Sequence, residues 1–500
     1  MKMKKHILGL MMGIIFSFSL MACDNNPKTD SDSNNNGGEN GGQTQNEEKP
    51  VDKSFVTPEI IGDLDPSTVE AKKVHFNDSM KANGPFADDA FPAIGTPKML
   101  VIPVNFDDSK KTDKNLNDIK IAFAGTEEQT GWESVKSYYY KSSYQKLNID
   151  FVFTDWFTPA NSASYYEQYN SEDGDGSKLL VKEALTHFDD EYDFNDFDYD
   201  GDDYIDNVWL VYNHAVDYEN AEFWWAYQDT VYYDDVWDGV NASRYGFAGT
   251  DFMNPANEQT SYDTTNIKVD AHTYIHESGH IMGLEDYYDY DPDNGPTNRG
   301  LFGADMMDSN IGDHSSFNKL SLGWVDPTVV SGKGKIELTL NSFTTTGEFL
   351  MLANHELETI WDEYFLIEFY TNDGLNSNDQ PILDDEGNKA LGIRILHVDA
   401  KINYDADGNV VENGDESYVG TGFKYDNSGT TYPLIEMLRA DYGNNMEEYL
   451  YPESLYTEDG QVFGEDTWAT FKLNDGKKLF FTLTVVKIEN NQCVIEINIK

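Results

Sequence analysis

The sequence predicts a mixed α/β (α+β) domain over residues 96–330, followed by an all-β, sandwich-like domain over residues 331–500. Two patterns carry this reading. Apolar runs of strand length alternate with stretches of helical spacing up to about residue 330. Beyond Gly332 only short β-rich runs separated by turns remain.

Taken in order, residues 98–106 (KMLVIPVNF) read as a buried first strand, 132–140 as a helix and 147–153 as a strand. Residues 178–187 place Leu179, Leu180, Ala184 and Leu185 on one helical side. An apolar strand at 208–212 precedes a helix expected at 269–282. The β-rich runs are 335–340, 363–370, 392–398, 432–438, 479–488 and 492–499, with Asn490 and Asn491 turning the chain between the last two. Cys493, Ile495, Ile497 and Ile499 share one strand face, which makes Cys493 a small buried hydrophobe. Residues 54–95 form a lead-in or propeptide-like segment with a short helix expected at 66–74.

The N-terminus is an export signal. Lys2, Lys4 and Lys5 precede an uncharged apolar run at 7–20, too short for a comfortable membrane span. It ends in Leu20-Met21-Ala22-Cys23, which resembles a bacterial lipobox, so residues 1–23 are expected to direct lipidation of Cys23. Acyl chains would then hold the protein on a bacterial membrane surface outside the cytoplasm, at the cell surface or in the periplasm. Residues 24–53 are Asn, Gly, Asp, Glu, Ser and Gln with almost nothing apolar, a disordered polar linker. Cys23 and Cys493 are the only cysteines, so a lipidated Cys23 leaves no intramolecular disulfide.

Ninety Asp and Glu against 35 Lys and Arg give a net charge of −55. Phosphate would be repelled, which excludes a nucleic-acid partner. The charge suits calcium binding and a strongly solvated surface.

One stretch carries chemistry. Residues 271–286 read AHTYIHESGHIMGLED, containing His276-Glu277-x-x-His280-x-x-Gly283-x-x-Asp286. On a helix, His276 and His280 lie one turn apart and can share one zinc ion. Gly283 can adopt positive φ and turn the chain so that Asp286 becomes the third ligand. Three protein ligands leave the open position that a catalytic zinc needs, and Glu277 is placed as general base. His272 and His314 read as packing residues.

Ahead of that helix, Asp198, Asp200, Asp202, Tyr204 (through its carbonyl) and Asp206 are spaced like the first nine positions of an EF-hand loop. Asp203 stands where glycine is usual and Trp209 where a bidentate glutamate is usual, so the loop would hold a structural calcium and not act as a sensor.

Residues 276–288 (HESGHIMGLEDYY) resemble the HExGHxLGLPDxY segment of the immune inhibitor A family of secreted bacterial zinc metallopeptidases. Residues 132–147, 198–208, 303–308 and 317–327 resemble further segments of that family in the same order, and the likeness extends over about 98–399. Glu285 replaces the family's proline. The resemblance implies a metzincin-like catalytic domain with a methionine turn at Met307, or at Met306 if the register slips. It also implies zinc-dependent hydrolysis of protein or peptide substrates. Two rival readings stand beside it: a surface lipoprotein binding module whose metal site is structural, and a metal hydrolase acting on a non-peptide bond.

Overall fold

The computed structural model describes residues 59–61, 69–76, 90–107, 115–171, 174–215, 223–256, 264–288, 300–303, 305–357, 360–379, 390–400, 427, 433–441, 454–458, 460–473 and 475–500. The expected signal, Cys23 and the polar linker lie outside them. Residues 55–500 form one compact unit. The chain is mixed α/β, with three principal sheets.

The first sheet runs in the order Asp150–Phe153, Lys98–Val104, Val208–Tyr212, Arg244–Gly249, Tyr227–Thr230. Its first four strands are parallel and the last is antiparallel. The near-continuous apolar runs follow from burial of both faces. Leu100, Ile102, Leu210 and Phe247 pack toward helix Gly176–Phe188, whereas Met99, Val101, Trp209 and Ala248 pack toward helix His272–Ile281. The helix expected at 132–140 is found at Val135–Ser142, where Ser134 caps it by accepting from the Ser137 N–H.

The other two sheets lie face to face. The outer one orders Glu59–Ile61, Gly334–Asn341, Gln492–Ile499, Phe481–Glu489, Val462–Phe463, all antiparallel. The middle one orders Ile435–Met437, Gly392–Asp399, Glu363–Tyr370, Phe349–Leu352, Thr328–Gly332, Val69–Lys73. Leu338, Leu340, Cys493, Ile495 and Ile497 from the outer sheet meet Leu350, Phe365, Ile367 and Ile395 from the middle sheet in a common core. Asn490 and Asn491 turn the terminal hairpin at φ of 52° and 61°, the double left-handed geometry that joins two-residue hairpins.

The short helix expected at 66–74 is instead strand Val69–Lys73, paired antiparallel with Thr328–Gly332. Its burial alternates, with Val69 turned into the sandwich core, so sheet pairing overrides a weak local helical preference. Both described strands of segment 54–95 therefore enter sheets completed by residues beyond 327. Phe91 is also fully buried, and its N–H donates to Ile281 O at the end of the motif-bearing helix.

The middle sheet is covered twice. Phe365, Ile367 and Phe369 face the outer sheet, while Tyr364, Leu366 and Tyr370 join the core that also holds Ile275, Met307 and Leu320. Strand Glu363–Tyr370 is accordingly buried along its whole length. Among the described residues no helix is long and apolar enough to cross a membrane.

His397 clamps three strands of this sheet. Its Nε2 bonds Glu363 Oε1 at 3.1 Å and its Nδ1 bonds Glu436 Oε1 at 3.2 Å. Burial opposes the imidazolium, but the two carboxylates prevail and raise His397 to about 10.

Two expectations follow. Leu366→Ala, although made in the C-terminal region, should cost about 2–5 kcal/mol and lower one cooperative unfolding transition of residues 55–500. Separate transitions by calorimetry, with only one displaced, would show that the shared core does not couple the sheets. A raised histidine pKa contributes stability in full below its ordinary value of about 6.5, lost as pH rises through about 10. The denaturant-measured stability gap between wild type and His397→Gln should thus be larger at pH 6 than at pH 10, and a gap that widened with pH would contradict the clamp.

Candidate metal centre

Helix His272–Ile281 begins where Asp270 Oδ1 accepts the His272 N–H at 3.0 Å, which supplies the cap that Ala271 lacks. It ends in a Schellman turn: Gly283 N–H donates to His280 O, and Leu284 N–H donates to Gly279 O. Gly283 sits at φ 89°, the left-handed conformation expected of it. The turn sends the chain back, and Asp286 comes to lie under the two histidines.

His276 Nε2 lies 3.1 Å from His280 Nε2, 2.9 Å from Asp286 Oδ1, and His280 Nε2 lies 3.4 Å from the same oxygen. Ligands about 2.0–2.1 Å from a tetrahedral zinc stand about 3.4 Å apart, so the three atoms are spaced to surround one ion. The tautomers agree. His276 Nδ1 donates to Met306 O and His280 Nδ1 to Leu284 O, each at 2.8 Å. A carbonyl only accepts, so each Nδ1 carries a proton, which leaves each Nε2 as the atom facing the other two residues and free to bind a metal once deprotonated. Two imidazole nitrogens and a carboxylate oxygen converging at this distance draw in positive charge, as protons or as a cation. The residues present therefore fit a divalent cation.

The titration directions express the same demand. Burial disfavours charge on His276 and His280, yet Asp286 outweighs it and raises both, His280 to about 10. Burial would also raise Asp286, but the two imidazoles hold it well below the usual carboxylate range. Glu277 differs: burial raises its pKa, against a smaller pull from His276 and His280. It is a buried carboxylate beside the ligand set, with elevated proton affinity.

Met307 is the methionine beneath the helix. A Cβ at Gly279 would collide with Met307 Sδ, so glycine at that position is what lets the methionine approach. Met306 instead supplies the carbonyl that orients His276. The turn carrying both is held by Asp305, whose carboxylate accepts the N–H groups of Met307 and Ser315 and the Asn318 amide. Burial lifts Asp305 to about 6 even so. His272 stacks flat on Trp132 at 4.0 Å and pairs with Asp270, a packing role. His314 is fully buried near Tyr138, Tyr139 and Trp324, and burial keeps it neutral.

Sequence reasoning missed several supports. Tyr139 OH donates to Ile275 O at 2.6 Å, Tyr288 OH donates to Asp286 Oδ2 at 3.0 Å, and Glu368 on the middle sheet accepts the Ser316 N–H at 2.7 Å. The tyrosines fall inside the segments that carry the family resemblance, but nothing in their spacing assigns a partner. Glu368 gives no local signal at all.

In the acidic loop the carboxylates of Asp198, Asp200 and Asp206 approach within 4.8 Å of one another. Asp202 is not part of that group; its Oδ1 accepts the Tyr204 N–H. Asp198 accepts from the N–H groups of Gly201, Asp202 and Asp203. Asp203 adopts φ 69°, so an aspartate takes the left-handed position where EF-hand loops use glycine. Burial, reinforced by Asp200, Asp198 and Asp202, pushes Asp206 up to about 8.

Compared with known proteins, the chain matches no family model and no curated protein.

Proposed function

We propose that this chain is a zinc-dependent endopeptidase, exported and anchored to a bacterial membrane by a lipidated Cys23. The observation that carries the zinc reading is the convergence of His276 Nε2, His280 Nε2 and Asp286 Oδ1, with both Nδ1 atoms bonded to carbonyls. The position of Glu277 beside them, and the resemblance to the immune inhibitor A family, support hydrolysis. A parallel sheet with one antiparallel edge strand, the motif-bearing helix and Met307 beneath it are consistent with a metzincin-like domain.

His276, His280 and Asp286 would hold the zinc, which supplies Lewis-acid polarisation of the scissile carbonyl and acidifies a water toward neutrality. Glu277, whose burial raises its affinity for a proton, takes one from the attacking water. It then passes that proton to the departing amine nitrogen. Met306 O and Leu284 O keep both imidazoles in the required tautomer. In the loop at 198–206, Asp198, Asp200 and Asp206 would hold a structural calcium.

Glu277→Gln should retain one zinc per chain by elemental analysis while casein hydrolysis falls by about 10²–10⁴. Undiminished turnover in that variant would remove Glu277 as the base, and turnover that ignores chelators would remove the metal mechanism. Calcium near a hundred times its Kd should stabilise the wild type by about 2.7 kcal/mol and Asp206→Asn far less. Equal Tm shifts in the two proteins would dismiss the loop as a calcium site.

A further inference from the structure

We propose that Tyr288 is a positioning residue for the metal centre: its phenol holds the Asp286 carboxylate in its ligating orientation and so tightens the grip on a bound divalent cation. The proposal rests on the zinc reading above. Asp286 presents two oxygens with different tasks. Oδ1 faces the imidazoles at 2.9 and 3.4 Å, and Oδ2 accepts the Tyr288 hydroxyl at 3.0 Å. A carboxylate fixed through both oxygens cannot swing about its Cβ–Cγ bond, whereas one fixed at the metal side alone can.

The neighbouring residue makes this geometry rigid. Tyr287 is buried in the core, its hydroxyl donating to Asn318 Oδ1. Its N–H donates to Met307 O at 3.0 Å, and its carbonyl accepts from Asn427 Nδ2 at 2.8 Å. The backbone between ligand and phenol is thus fastened to the methionine turn. Tyr288 itself is 37% exposed, so its ring adds little to the core. The hydroxyl bears on the ligand. Partners of this kind, which orient a metal ligand without touching the metal, are worth about 10–100-fold in affinity.

The test compares full-length wild type with Tyr288→Phe, which removes one oxygen and keeps the ring. Three readouts are needed: zinc affinity from competition with a chromogenic chelator, the Tm of the metal-free protein, and kcat and KM on a peptide substrate. Zinc affinity should fall about 10–100-fold and kcat should fall with KM nearly constant, while the metal-free Tm stays unchanged. Zinc held as tightly as in wild type would overturn the positioning role, even if kcat fell. So would a drop in metal-free Tm, which would make the hydroxyl a folding element. Failure of the wild type itself to bind zinc would instead remove the metal reading on which the proposal rests.

Discussion

Three basic atoms aimed at one point set the terms for this structure. His276 Nε2, His280 Nε2 and Asp286 Oδ1 stand within 3.4 Å of one another, two of the residues buried and His280 partly so, an arrangement that favours positive charge among them. Holding it requires that every other polar atom of the ligands be committed elsewhere. Met306 O and Leu284 O meet the two Nδ1 atoms, and Tyr288 meets Asp286 Oδ2. Each of these partners comes from a turn, so the rigidity of the centre is the rigidity of its turns: Gly283 at one end, the Met306–Ser309 segment at the other.

Those turns are supported from a distance. Asp305 gathers the amides of Met307 and Ser315, and the next residue, Ser316, donates its N–H to Glu368 on the middle sheet. Glu368 is in turn bonded by Arg394 on the adjacent strand, at 2.9 and 2.6 Å. An isolated buried carboxylate would be costly at this depth; the guanidinium pairing is what makes it tolerable. Leu366 and Tyr364, on the same strand face as Glu368, join the core beneath helix His272–Ile281. The β-rich C-terminal region is therefore part of the foundation of the centre and not merely an appended module.

How much of this was legible in the sequence depends on the range of the interactions. The clustering of His276, His280 and Asp286 involves eleven consecutive residues, and helical periodicity plus one glycine specify it, so it could be read directly. Strand Glu363–Tyr370 and the hairpin at Asn490 and Asn491 were likewise local patterns. Residues 69–73 were misread because their partner, Thr328–Gly332, lies more than 250 residues away, and only that pairing makes them a strand. Tyr139 reaches Ile275 across 136 residues and Glu368 reaches Ser316 across 52, with Arg394 behind it. No spacing rule reaches that far. Position twelve of the acidic loop shows the converse: Trp209 departs from the calcium pattern because the strand it belongs to, at the centre of the first sheet, needs a buried aromatic there.

The two acids beside the histidines differ because their environments differ. Glu277 and Asp286 are both buried, and burial alone would raise both carboxylates. Asp286 lies within hydrogen-bonding range of two imidazoles, and their attraction reverses the shift, keeping it ionised and available as a ligand. Glu277 feels the same imidazoles more weakly, so burial prevails and its affinity for protons rises. Two acids nine positions apart are driven in opposite directions, one toward permanent charge and one toward proton exchange. Such opposite shifts suit the proposed roles of metal ligand and general base.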